Sequence, residues 1–163
     1  MRGKQAPKRK IKPDIKYGSA LVGKFINYIM RQGKKTTAEH VVYTSFNIID
    51  EKLKEGKITG EYESALNVFD QAIKNVTPQL EIRSKRVGGA NYQVPFPVRG
   101  ERKYSLAFRW IIAAASSKKG RPMSQKLADE LMAAVNNEGD AIKKKNDVNR
   151  MAEANRAFAH FAR

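Results

Sequence analysis

With 163 residues, 41% hydrophobic content and no cysteine, the chain can fill one buried core but builds no disulfide, thiolate metal site or thiol catalyst. Its formal net charge of +16 exceeds what solubility requires and points to a polyanionic partner, nucleic acid ahead of anionic membrane. No apolar stretch approaches a spanning helix. The opening MRGKQAPKRKIKPD has neither the apolar segment of a signal peptide nor the serines of a transit peptide, so a cytosolic setting is expected.

Residues 1–14, with Pro7, Pro13 and many bases, are expected to form a flexible basic extension, disordered until bound. A helix begins near Ser19 as N-cap, carries Leu21, Val22, Phe25, Ile26, Ile29 and Met30 on one side, and closes at Gly33. Thr36 and Glu39 have capping-box spacing for a second helix, with Val42, Phe46, Ile49 and Leu53 inward. Gly56 and Gly60 mark the next turn, and a third helix turns Leu66, Phe69, Ile73 and Val76 inward before Pro78 ends it.

The stretch 79–98 changes period from helix to strand. Leu80 and Ile82 alternate with Glu81, Arg83 and Lys85. Beyond Gly88-Gly89, Tyr92, Val94, Phe96 and Val98 alternate with Asn91, Gln93, Pro95 and Pro97. The glycines accept the positive φ of a tight hairpin, and the prolines bar the second strand from a sheet interior. A two-stranded β-hairpin arm that leans on the helices or on a partner is expected.

A fourth helix follows Gly100, with Leu106, Trp110 and Ala114 in line beside Phe108 and Ile112, and stops at Gly120 and Pro122. A fifth starts at Ser124, with Leu127, Ala128, Leu131, Met132 and Val135 inward, and a sixth spans roughly 147–160. The expected fold is mainly α: about six helices in one domain, residues 1–163, with an inserted hairpin arm.

Catalytic material is sparse. His40 and His160 lie far apart on helices, without metal-binding spacing. Gly88-Gly89 is too short for a dinucleotide fingerprint, and no GxxxxGK[ST] occurs. The pairs Asp50-Glu51 and Asp129-Glu130 are adjacent on helices, where side chains diverge. No enzyme, metal site or cofactor is expected.

Binding is better supported, because the charge is segregated. Residues 1–35 hold eleven bases against Asp14 alone, whereas residues 36–75 hold seven acids against four bases. The candidate nucleic-acid contacts are Arg2, Lys4, Lys8, Arg9, Lys10 and Lys12 in the tail, and Lys34 and Lys35 in the first inter-helix turn. Arg83, Lys85, Arg86 and Tyr92 stand on the arm, with Arg99, Arg102 and Lys103 at its base. Arg109, Lys118, Lys119 and Arg121 follow the fourth helix, and Lys143, Lys144 and Arg150 lead into the sixth. Tyr92 and Phe96 have two readings, stacking on unpaired bases or packing the ribbon onto the helices.

KRVGGANYQVP (85–95) resembles the central signature of the bacterial-type small-subunit ribosomal proteins of the S-seven family. So do KFINYIMRQGKKTTAEHVVY (24–43), the step Arg109-Trp110-Ile111 and RMAEANRAFAH (150–160). The resemblance runs in order from about Lys12 to His160. It implies a helical rRNA-binding protein that joins the 3′ major domain of small-subunit rRNA, nucleates the head and lies near the tRNA exit site, with the ribbon at the subunit interface. Implied partners are that rRNA, exit-site tRNA, neighbouring head and platform proteins and, as a further candidate, the messenger; no membrane is implied. Some relatives repress their own messenger. Two positions depart from the pattern: Asn149 stands where relatives commonly have His, and the chain ends at Phe161-Ala162-Arg163 without the aromatic ending or longer tail of some relatives. The alternative from a different class is an architectural DNA-binding protein with a β-arm.

Overall fold

The computed structural model describes Gly3, Ala6 and residues 11–56 and 62–162. In chain order it contains α1 (Ala20–Ile29), α2 (Lys35–Lys54), α3 (Ala65–Val76), β1 (Leu80–Val87), β2 (Ala90–Pro97), α4 (Arg102–Ser117), α5 (Met123–Val135), α6 (Asp140–Ala154) and a 3-10 segment, Arg156–Ala162. The mainly helical fold with one antiparallel hairpin is as expected from the sequence. The turn expected at Gly60 lies outside the described residues.

Six helices share one core, whose centre is a chain of rings. Phe25 meets Phe69 and Phe108 at centroid distances of 5.1 Å, and Phe46 meets Phe69 at 5.5 Å. Tilted pairs of this kind add about 0.5–1.5 kcal/mol each to their area burial. Val22, Ile49, Ile73, Ile111, Leu127 and Leu131 fill the space around them.

Side-chain caps from the adjoining sequence start two of the six helices. The Ser19 hydroxyl accepts from the Val22 N–H at 3.4 Å, and Ser64 does the same for Asn67 at 3.4 Å, so α1 and α3 begin at side-chain caps. The capping box expected from Thr36 and Glu39 does not form. Gln32 and Gly33, at φ 54° and 73°, turn the chain early, and α2 starts at Lys35 with Lys34 as an N-cap lacking a side-chain bond. Helix α5 starts at Met123, one residue ahead of Ser124, behind Pro122.

The sixth helix is also displaced. It was expected over about 147–160, yet α6 spans Asp140–Ala154 and the chain then tightens into the 3-10 segment. Its cap is remote in sequence. Glu130 of α5, fully buried, accepts from the Ala141 N–H at 2.9 Å through one oxygen and from Lys118 Nζ at 2.6 Å through the other. Gly139 (φ 90°) makes room, since a Cβ there would lie 2.9 Å from that carboxylate. One buried acid thus joins the end of α4, the middle of α5 and the start of α6.

Helix α4 is amphipathic, with Arg102, Arg109, Ser116 and Ser117 exposed. Ala107, Phe108, Ile111, Ala114 and Ala115 face the core. Leu106 and Trp110, in line with Ala114, also line a cavity of about 530 Å³ with Ile82, Val148 and Met151, between the arm's root and α6, and Trp110 packs against the core as well.

Candidate nucleic-acid interface

The hairpin register pairs Val87 with Ala90, Lys85 with Tyr92, Arg83 with Val94 and Glu81 with Phe96. Gly88 and Gly89, at φ 58° and 89°, close it with a two-residue turn of the type that matches strand twist. Opposed residues share a face, so Glu81, Arg83, Lys85, Tyr92, Val94 and Phe96 stand together. The expectation that Leu80 and Ile82 are the inward positions of β1 is corrected: both are half-buried, while Glu81 is buried. Its carboxylate can be buried because it pairs with Arg83 and, at 2.6 Å, with Arg102 Nε. The Arg83 guanidinium also lies 5.3 Å above the Phe96 ring.

The far half of this face grips the C-terminal segment. The Tyr92 ring stands 5.1 Å from Phe158 and 5.6 Å from Phe161, and Lys85 Nζ donates to the Phe161 carbonyl at 2.7 Å. The Tyr92 ring thus packs on the C-terminal segment, whereas Phe96 faces Arg83 of the paired strand. The opposite face holds Ser84, Arg86, Asn91 and Gln93, with Gln93 Nε2 donating to Ser84 Oγ at 2.8 Å.

The candidate cations fall into three groups. Arg83, Lys85, Arg102 and Lys118 hold parts of the fold together. Lys35, Arg121 and Arg150 make exposed pairs, with Glu39 at 3.7 Å, Asp129 at 3.2 Å and Asp147 at 2.9 Å. Such pairs are worth about 0–1 kcal/mol and open readily to a phosphate. Lys12, Lys34, Arg86, Arg99, Lys103, Lys119, Lys143 and Lys144 have no carboxylate partner among the described residues. Arg109 Nε donates to the Ser105 carbonyl at 3.2 Å, beside a Tyr28–Ser105 hydroxyl bond of 2.7 Å. Lys143 and Lys144 are the fourth and fifth residues of α6 rather than lying ahead of the helix. Arg2, Lys4, Lys8, Arg9 and Lys10 lie outside the described residues.

Where the basic tail meets the body, the chain is pinned. Asp14 is buried and accepts from the N–H groups of Lys16 at 3.1 Å and Tyr17 at 3.0 Å and from the Tyr43 hydroxyl at 2.7 Å. Burial, and then the bond to Asp14, push the Tyr43 hydroxyl above the ordinary tyrosine range. Gly23 of α1 lets the segment pass, because a Cβ there would sit 2.9 Å from the Lys12 carbonyl. Residues 12–14, expected to belong to the flexible extension, are therefore fixed against α1.

Two cations outside the candidate set, Arg31 and Lys126, line one groove, and the structural role of Glu130 was not read from the sequence. Arg31 shares a turn with Lys34, and that proximity was a usable signal. Lys126 carried none, since only folding brings α5 beside that turn. His40 is exposed, and His160 Nδ1 lies 2.8 Å from the Ala157 carbonyl.

These features define the class first: a basic, mainly helical protein carrying a β-hairpin, with its unpaired cations spread over the tail root, the inter-helix turns and the arm. Comparison with known proteins is more specific. The model of the family "Ribosomal protein S7p/S5e" matches residues 1–156. The small ribosomal subunit protein uS7 of Thermotoga neapolitana is 56% identical over 161 residues, covering 99% of both chains. That of Chloroflexus aggregans is 51% identical over 156 residues, covering 96% of this chain and 94% of its own. The chain belongs to the ribosomal protein S7p/S5e family. As such it is a structural, non-enzymatic component of the small subunit, in the cytoplasmic ribosome. No helix among the described residues is long and apolar enough to cross a membrane. Membership leaves the architectural DNA-binding alternative without support.

Proposed function

We propose that residues 1–163 act as one rRNA-binding domain that joins the 3′ major domain of small-subunit rRNA, nucleates assembly of the head and stands near the tRNA exit site. The observation that carries this reading is the surplus of cations without carboxylate partners among the described residues, on a chain of net charge +16. Cations that the fold does not use remain available to neutralise phosphates that an RNA junction crowds together. Double-helical RNA offers shape and 2′-hydroxyls more than readable base edges, so specificity comes from junction geometry. The arm's outer face, with Arg86 and Asn91 next to the turn, is the part offered to exit-site tRNA and the messenger. The segment 36–75, with seven acids against four bases, is left for neighbouring proteins.

Binding of the purified chain to a transcript of the 3′ major domain, measured across salt, tests this. Affinity is expected to fall steeply, log K dropping by roughly 0.7–0.9 per phosphate for each unit of log salt. Replacing Lys8, Arg9, Lys10 and Lys12 with Ala should weaken binding and flatten that slope; an unchanged slope would remove the tail from the interface. Co-purification of mainly chromosomal DNA, with no enrichment of rRNA, would sink the reading altogether.

A further inference from the structure

A second concave feature lies away from the arm. The α1–α2 turn, the end of α4 and the start of α5 enclose a groove of about 400 Å³, within the range of about 300–1,000 Å³ typical of ligand sites. Its floor is apolar, built from Ile29, Val41, Ile112 and Met123, each half-buried. Its rim carries Arg31, Lys34 and Lys126. None of the three has a carboxylate partner among the described residues, and no acid lines the groove.

Beside the arm's root, by contrast, the cation is matched. The cavity lined by Trp110 contains both Arg102 and its partner Glu81. Three unmatched cations around an apolar floor ask for an occupant that is flat and apolar on its faces and anionic on either side. Gln32 and Ser116 add neutral groups that can both donate and accept. Gln32 is held there in the left-handed region at φ 54°, a conformation that costs a non-glycine residue energy.

We infer that this groove seats one unpaired nucleotide of RNA, its base on the Ile29–Met123 floor and its flanking phosphates on Arg31, Lys34 and Lys126. The inference rests on the rRNA-binding reading above and extends it. It assigns contacts to Arg31 and Lys126, and it names a single-stranded element where cations alone would suit any duplex. Bases turned out of a helix are the part of an RNA that a protein pocket can hold individually.

The test uses the full chain and a transcript of the 3′ major domain. Met123→Glu puts an anion into the groove at the first position of α5, where an acid suits the helix. Arg31→Ala with Lys126→Ala removes rim charge without entering the core. Circular dichroism melts establish that each variant folds. The expected result is that base-by-base chemical probing shows an unpaired nucleotide protected by the wild type and exposed with Met123→Glu, with affinity weakened about tenfold. The double variant should lower the salt slope by about 2. Lys54→Ala, at the far end of α2, should leave that nucleotide protected. If both groove variants fold and keep wild-type affinity and protection, the groove holds no nucleotide. A photoreactive residue at 123 that joins to a neighbouring protein in assembled subunits, and not to RNA, would overturn the inference equally. Failure of the wild type to bind the transcript would overturn the rRNA reading as well, so the two failures are distinguishable.

Discussion

The helical body and the hairpin arm solve the same problem of stability differently. The body buries four phenylalanines completely and closes every helix against another. The arm buries Val94, Pro95 and Val98, none of them in the core cluster, and otherwise relies on ion pairs, ring contacts and one bond from Lys85 to the chain's end. The body is held by burial, and the arm by a few polar and ring contacts at its root and tip.

The contrast can be broken most severely at its strong end. Phe69→Ala empties the centre of the ring chain and should cost about 3–5 kcal/mol in denaturant unfolding. Glu130→Ala should come next, at about 1–3 kcal/mol, because it leaves the buried Ala141 N–H without its acceptor and releases Lys118. Hydrogen exchange should show the first turn of α6 opening before the rest. A loss confined to α4 would show that the Lys118 pair, not the cap, is what matters.

At the weak end, Tyr92→Ala should cost about 0.5–1.5 kcal/mol and free the C-terminal segment to proteolysis. Deleting residues 83–93 and joining Ile82 to Val94 should leave cooperative unfolding of the body. If cooperativity disappears, the division between body and arm is wrong.

The smallest effect sharpens the description of the body by its electrostatics. Burial raises the Asp70 carboxyl above its usual range, with Lys74 opposing. A raised acid stabilises the fold fully below the unfolded value, about 3.9, and loses that contribution as pH rises through the folded value. Asp70→Asn should therefore melt slightly higher than the wild type at pH 7 and coincide with it near pH 3. A difference that is the same at both values would show that packing, and not charge, is responsible.

Most of the architecture was legible because it is written in short-range periodicity. The inward faces of α1, α2, α3 and α5, the two-residue hairpin turn and the cap at Ser19 depend on residues within a few positions of one another. The errors share one cause. The start of α6 is set by Glu130, ten residues before the helix, and the burial of Glu81 is set by Arg102, twenty-one positions on. The Thr36–Glu39 box failed because Gln32 and Gly33 turned the chain first. Among the candidate contacts, residue type named the cations but not their fate. Lys118 and Arg121 read alike in the sequence, yet one neutralises a fully buried carboxylate and the other makes an exposed pair.

By itself, then, the sequence determined a basic helical chain with a β-hairpin, and through its motifs the ribosomal family to which it belongs. These follow from composition, local periodicity and ordered strings that need no knowledge of contacts. The tertiary structure alone decided which cations are spent and which remain, that the arm is fastened to the C-terminal segment, and that Arg31, Lys34 and Lys126 ring one groove. The physical reason is that a charge's availability depends on what stands within a few ångströms of it, and those neighbours come from distant parts of the chain.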